Sequence, residues 1–453
     1  MKKLLKGGVI VGASGCRKAD LLIDGERIEA VGEALSCPEA EVIDVSGKLL
    51  FPGFLDAHTH FDLEVCNTVT ADDFYTGGRS ALRGGTTTVI DFACPNKGET
   101  LHTGLARWHE KADGKTGCDY GFHMTIDDWN DGIRAELPQM FDEGISSFKM
   151  YMTYPAMMIG DEAMFHALRE MKRLGGIVGV HCENAGMIDA LIAEKKAAGA
   201  LSPASHPLCR PAEAEAEAVG RLLKLARVAD VPVMIVHLST AAALREVEAA
   251  RGLGQKVFVE TCPHYLLLDE TALEKYGPFA RCNPPLRPKE TVEKLWDYVN
   301  DGTIDFIGSD HGPFLLSEKE QGNEDIFKAF CGAPGVDLRL PLMLDAAARG
   351  KTTIERVVEL LCVNPARCFN IYPQKGTISA GADADLVVFD MNDTTVVDRN
   401  KSYSKARETA RIFDGWELGC KLNYTVVRGR VLMEDGVVDP DCAGYGQLVT
   451  PQK

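Results

Sequence analysis

The sequence predicts an α/β chain: a parallel (β/α)8 TIM-like barrel carrying a small β-sandwich built from both chain ends. Three observations predict it. Short apolar segments rich in β-branched residues alternate with helical stretches over about 320 residues of the middle. Both ends instead read as short strands joined by Gly turns. Polar residues of metal-ligand type fall where the middle strands end, which is where barrels of this class place their chemistry. A doubly wound sheet is the alternative, but no Gly-x-Gly-x-x-Gly opens a helix here.

Composition bounds the reading. With 453 residues the chain exceeds one simple core, so a large domain with a smaller one is expected. Residues 1–50 and 372–453 are assigned to the sandwich and 51–371 to the barrel. Hydrophobic residues make up 45% and charged residues 25%, ordinary for a soluble globular protein. The net charge of -17 and the lack of a basic stripe argue against a nucleic-acid partner. Fourteen cysteines lie scattered without paired spacing, which suggests reduced thiols in a cytoplasmic protein. Met1 to Leu5 superficially suggests a secretion signal. Lys6 and the Gly7-Gly8 pair interrupt it, and a first strand is predicted instead. No run of about 18 apolar residues predicts a membrane span.

Taken in order, Gly8 to Val11 and Asp20 to Ile23 are short apolar runs, and Asp24-Gly25 before Ile28 is a hairpin signal. Phe51 to His60 reads as one buried strand, broken from what precedes it by Pro52 and Gly53 and ending in His58 and His60. Strands follow at Thr86–Asp91, Ser146–Lys149, Gly176–His181, Val231–His237, Val257–Glu260 and Ile304–Asp310. Ala163–Leu174 and Pro211–Val228 read as helices between them. The second has Pro at its start and Glu213, Glu215 and Glu217 early, good start signals that read as a solvated face. Ala384–Phe389 and Tyr424–Val431 are the C-terminal strands.

The strand ends carry the chemistry. Residues i and i+2 of a strand point the same way, so His58 and His60 can bite one cation. A lone His-x-His is commonly two polar loop residues. Here Lys149, His181, His237 and Asp310 also follow apolar β-rich runs, and such convergence is hard to explain as core satisfaction. Imidazoles with a carboxylate suit zinc, or less selectively manganese, iron or cobalt. Lys149 is the odd member, because an ammonium repels cations. Desolvation favours its neutral amine, which can capture carbon dioxide as a carbamate able to bridge two metals.

Several motifs carry a family resemblance. They are Asp56-Ala57-His58-Thr59-His60-Phe61-Asp62, Thr68 to Phe74, Gly84-Gly85-Thr86-Thr87-Thr88, Lys149 to Tyr154, Glu260-Thr261-Cys262-Pro263-His264-Tyr265-Leu266 and Ser309-Asp310-His311, with Lys375 to Ile378 and Gly381 to Val387 near the C-terminus. The sequence resembles the amidohydrolase superfamily and, within it, the cyclic amidases of the D-hydantoinase and dihydropyrimidinase type, over nearly the whole chain. The resemblance implies two divalent ions, Zn2+ by preference. His58, His60 and Asp310 would hold one, His181 and His237 the other, and Lys149, modified to N6-carboxylysine, would bridge them. It further implies hydrolysis of a cyclic amide to an N-carbamoyl amino acid. Asp310 would move the proton from water to the leaving ring nitrogen, and Tyr154 would donate to the oxyanion. His264 and His311 match no ligand position and are read as supporting or structural.

The departures concern the ring. Asn283-Pro284-Pro285 stands where hydantoinases and dihydropyrimidinases usually carry Ser-Pro-Pro, and Asn there looks like dihydroorotase. Dihydroorotases follow His-x-His with Leu-Arg, whose Arg pairs with the substrate carboxylate. Phe61 and Asp62 stand here, and an acidic residue is expected to repel an anionic ring. Cys331-Gly332 occupies the place of an Asn-Gly that contacts the ring imide. Gly335 to Leu342 and Phe413 to Leu418 are similar to allantoinases. Loops 62–71 and 154–161, the latter with Met157 and Met158, are expected to select the substituent and enantiomer. Allantoinase- or dihydroorotase-like activity is therefore the alternative, with a non-catalytic structural relative behind it. Family analogy suggests a homotetramer.

Overall fold

The computed structural model describes residues 2–65 and 67–452. Eight parallel strands build the barrel: β1 (Phe54–Thr59), β2 (Thr86–Ala93), β3 (Asp119–Thr125), β4 (Ser147–Tyr151), β5 (Ile177–His181), β6 (Val233–Ile235), β7 (Val257–Thr261) and β8 (Phe306–Ile307). They pair in sequence order into one sheet. The gap between β8 and β1 is bridged past the strand ends, where the His60 amide donates to the His311 carbonyl at 2.9 Å. Helices such as Leu101–Ala112, Asp161–Leu174 and Ala212–Ala229 fill the intervals and bury apolar stripes, with Trp108, Leu168 and Leu222 fully inside. An all-parallel sheet covered by helices reads as continuous apolar runs, and β2, β4 and β5 are buried at every residue.

Two expectations change. The run from Phe51 to His60 is not one strand. Leu49–Pro52 belongs to an outer sheet, and Gly53 turns the chain into β1. The Gly53 amide donates to the Asp385 carbonyl at 2.8 Å. A Cβ at Gly53 would collide with Thr87 and Asp385, so no larger residue fits this corner. The second change is β3, absent from the expected strands. Asp119, Gly121 and His123 break its apolar pattern, yet all seven residues are buried. His123 satisfies both ring nitrogens, on Ser147 Oγ at 2.6 Å and the Ala57 carbonyl at 3.0 Å.

The chain ends form two further sheets. One has seven strands, running from Val437–Val438 through Arg430–Glu434, Lys421–Val427, Leu386–Asp390, Leu49–Pro52 and Val9–Gly12 to Gly15–Lys18. The other pairs Arg27–Gly32, Asp20–Asp24, Lys2–Lys6 and Glu41–Asp44. A separate apolar core including Leu5, Ile10, Leu21, Leu50, Leu386 and Val426 lies with them. The predicted first strand and the Asp24-Gly25 hairpin are both there, Asp24 pairing with Arg27. Buried ion pairs join these sheets to the barrel: Lys375 Nζ meets Asp119 at 2.5 Å and Asp385 at 2.6 Å. Among the described residues no helix is long and apolar enough to cross a membrane.

Candidate active site

The strand ends deliver the predicted residues to one mouth by different local routes. His58 lies within β1 and His60 one residue beyond it. Lys149 sits in the middle of β4, and His181 is the last residue of β5. His237 and Asp310 lie past β6 and β8, in the turns that leave the barrel. Both turns are left-handed, with φ of 37° at His237 and 51° at Asp310, and Tyr154 after β4 has φ of 70°. Such backbone is uncommon for non-glycine residues and concentrates at functional sites.

Ligand-type atoms of His58, His60 and Asp310 lie within 4.8 Å of one another. Asp310 Oδ1 is 3.3 Å from His58 Nε2 and 3.2 Å from His60 Nε2. The rings of His181 and His237 stand 4.5 Å apart between centroids, and His237 is 5.4 Å from His58. Lys149 Nζ lies 4.9 Å from the centre of Phe92 and 5.2 Å from that of Tyr151.

Electrostatics prepares these groups for a cation. Burial holds His58, His181 and His237 below the usual imidazole range, so each keeps a lone pair at neutral pH. Burial also brings the Lys149 amine down to about 8, against the pull of Glu260 and Asp310. Burial alone would raise Asp310, yet the neighbouring His58 and His60 hold it well below the carboxylate range. His58 Nδ1 shares a 2.6 Å hydrogen bond with Glu260 Oε1. His181 Nε2 donates to Glu183 Oε2 at 2.7 Å, which leaves its lone pair on Nδ1. Despite its burial, Glu183 is kept at about 2 by Arg210. His58 Nε2 and His237 Nδ1 are buried with no hydrogen-bond partner. Unpartnered buried nitrogens around one carboxylate fit divalent metal ions.

Comparison with known proteins agrees with this geometry. The amidohydrolase family pattern matches residues 49–432. The chain is an amidohydrolase. It is 38% identical over 462 residues to a D-hydantoinase of Geobacillus stearothermophilus, covering 100% of this chain and 97% of that one. It is 38% identical over 457 residues to a D-phenylhydantoinase of Escherichia coli O1:K1 / APEC, covering 99% and 98% of the two chains. The crystal structure of a dihydropyrimidinase from Brevibacillus agri NCHU1002 superposes with a TM-score of 0.96 at 39% identity, over 100% of both chains. Membership of this family implies a binuclear divalent-metal centre.

In this amidohydrolase, a cavity of about 540 Å3 opens over the centre. His60, Lys149, His181, His237 and Asp310 form its floor, and Tyr154, Asn283 and Cys331 stand in its wall. Asn283 Nδ2 donates to the Tyr154 hydroxyl oxygen at 2.9 Å. Burial raises Tyr154 above the usual phenol range, so it stays protonated and able to donate. Leu63, Val65, Thr70 and Met157 bring both expected loops to the cavity. Phe314 and residues 327–330 extend the wall that Cys331 and Gly332 were expected to form.

Other expectations need revision. Asp62 does not line the cavity. Its backbone carbonyl accepts from Lys111 Nζ at 2.6 Å, and the expected direct contact between Asp62 and a ring in the cavity is not made. Glu215 is not on a solvated face. It is buried, accepting from Ser239 Oγ at 2.6 Å and Arg287 Nη2 at 3.1 Å behind the cavity wall. His311 is structural, holding Asp72 at 3.0 Å while its Nδ1 accepts from the Gly335 amide at 3.1 Å. Sequence reasoning missed Glu260, Glu183 and Arg210. Glu183, two residues after His181, was the one most open to discovery, since i and i+2 share a side where a strand continues.

Proposed function

We propose that the protein is a metal-dependent hydrolase of the hydantoinase and dihydropyrimidinase type, opening the ring amide of a hydantoin or dihydropyrimidine to an N-carbamoyl amino acid. The convergence of His60, Lys149, His181, His237 and Asp310 on one cavity floor, with His58 beside them, carries this reading. His58, His60 and Asp310 would hold one ion, His181 and His237 the other, and carbamylated Lys149 would join them. Zinc suits this set of imidazoles and carboxylates. Bound there, the ions would supply an activated water and polarise the ring carbonyl.

The chain's own groups do the rest. Asp310, held ionised by its histidine neighbours, accepts a proton from the attacking water and delivers it to the ring nitrogen as the C–N bond breaks. Tyr154 donates its hydroxyl hydrogen to the carbonyl oxygen as charge develops there. Asn283, donating to that hydroxyl oxygen, directs the Tyr154 hydrogen away from itself. Asn283 and Cys331 face the ring in this reading. Glu183 and Glu260 fix the His181 and His58 rings.

A non-catalytic structural role is disfavoured because all six ligand positions are filled. The free thiols among the described residues support a cytoplasmic protein. By family analogy it works as a homo-oligomer, a tetramer, without nucleic-acid or membrane partners. The deciding experiment is a hydrolysis panel of hydantoin, dihydrouracil, allantoin and dihydroorotate with metal-loaded protein. Ring opening of hydantoin or dihydrouracil, abolished by chelation, supports the reading. Turnover of allantoin alone would redirect it, and no turnover would defeat it.

A further inference from the structure

A second, smaller pocket lies against Asp310, with about 30 Å3 of space. That is room for about two waters or one carboxylate. It shares Arg281, Asp310 and Gly332 with the catalytic cavity. Its wall is otherwise mostly apolar, with His264 and Ser309 the exceptions. Arg281 and His264 both line it, and Arg281 Nε and His264 Nε2 are buried without a hydrogen-bond partner. Two orphaned nitrogens on one pocket lined with apolar groups are costly unless something accepts from them.

Charge sharpens the point. The other buried arginines each face a carboxylate: Arg210 meets Glu183, Arg287 meets Glu215, Arg339 meets Asp56 and Arg428 meets Asp119. Arg281, only 7% exposed, has no carboxylate partner among the described residues, and its guanidinium reaches just the Ala329 carbonyl. Beside it Lys319, also buried, bonds to the carbonyls of Phe330 and Gly332 at 2.9 and 2.8 Å rather than to an acid. Any N–H could cap a carbonyl. A guanidinium cannot shed its proton, so a buried one without a counter-ion calls for an anion from outside. Among the described residues Asp310 is the one carboxylate lining the catalytic cavity and this pocket, and Asp62 lines neither.

We propose that this pocket is an anion subsite, in which Arg281 and His264 receive a carboxylate borne on the cyclic amide substrate. The assignment rests on the cyclic-amidase reading and narrows its substrate to acidic rings. The carboxylate has two possible sources: one attached directly to the ring, as in dihydroorotate, or one on a side arm, as in 5-(2-carboxyethyl)hydantoin.

The test compares kcat/KM for the carboxyethyl hydantoin with that for its primary amide, which has the same number of heavy atoms, and for dihydroorotate with that for dihydrouracil. Wild-type protein is expected to favour at least one acidic ring by about tenfold or more. Arg281→Gln should bring that ratio to within about twofold, mainly through KM, while Arg281→Lys, which keeps the charge, retains part of the preference. The pair that responds identifies the source. Ratios near one in wild type, with the neutral rings opened normally, overturn the subsite and leave the cyclic-amidase reading standing. An equal fall for acidic and neutral rings in Arg281→Gln makes Arg281 a purely structural residue and also overturns it. So does weakened inhibition by N-carbamoylglycine with the ratios unchanged, since the pocket would then hold the product's carboxylate. Failure to open any ring defeats both readings.

Discussion

Lys149→Ala is the most informative single change. The side chain is 1% exposed and makes no hydrogen bond that would satisfy an ammonium, while burial lowers it from 10.5 to about 8. At pH 7 a group titrating near 8 is neutral about one time in ten, against about one in three thousand at the ordinary lysine value. The fold therefore enriches the amine that can capture carbon dioxide by about 300-fold. The sign follows directly: carbamylation of metal-free protein, followed as reactivation by bicarbonate and metal, should speed up about tenfold per pH unit below 8 and level off above it. In the proposed centre, Lys149→Ala would remove the bridging anion. It should lose at least one metal ion per chain and about a thousandfold in turnover, the equivalent of several kcal/mol of charge stabilisation. Elemental analysis and initial rates on hydantoin measure both. Acetate or propionate should restore part of each loss, and Lys149→Arg should not be rescued, because its guanidinium stays charged. A Lys149→Ala protein that binds two ions and turns over normally without added acid would refute the bridging role.

Three further outcomes are expected. Purified protein expressed with ample metal should contain about two divalent ions per chain by elemental analysis, and finding none would sink the enzyme reading. Asp310→Asn should keep the fold, as followed by circular dichroism, and lose about 10²- to 10⁴-fold in kcat; near-normal kcat would remove Asp310 from proton transfer. Tyr154→Phe removes the hydroxyl that Asn283 orients and should cost about 10²- to 10³-fold in kcat with little change in metal content. A change confined to KM would make Tyr154 a packing residue.

What the sequence reveals about such a site is decided by the period of a strand. An apolar run ending in His181 or Asp310 marks a buried strand and points its last polar residue at the mouth, so six candidate ligands were legible one by one. One strand, β3, was not, because His123 and Gly121 break its apolar run, and only the Ser147 and Ala57 partners make a buried His123 tolerable. Partners behind the ligands are invisible for a related reason. Glu260 meets His58 across 202 residues, and Glu215 meets Arg287 across 72, so neither pairing leaves a local pattern. Glu215 shows the cost of reading locally: at the start of a helix among alanines it reads as solvated, and only Arg287 and Ser239 turn it inward. The same blindness applies to Arg281, one arginine in a Pro-Phe-Ala-Arg-Cys-Asn run. Its meaning comes from the missing ion pair: Asp310 lines the same pocket, yet among the described residues no carboxylate pairs with Arg281. Candidate ligands at strand ends were therefore readable from the sequence, whereas the remainder of the 327–332 wall and the unpaired Arg281 required the folded arrangement.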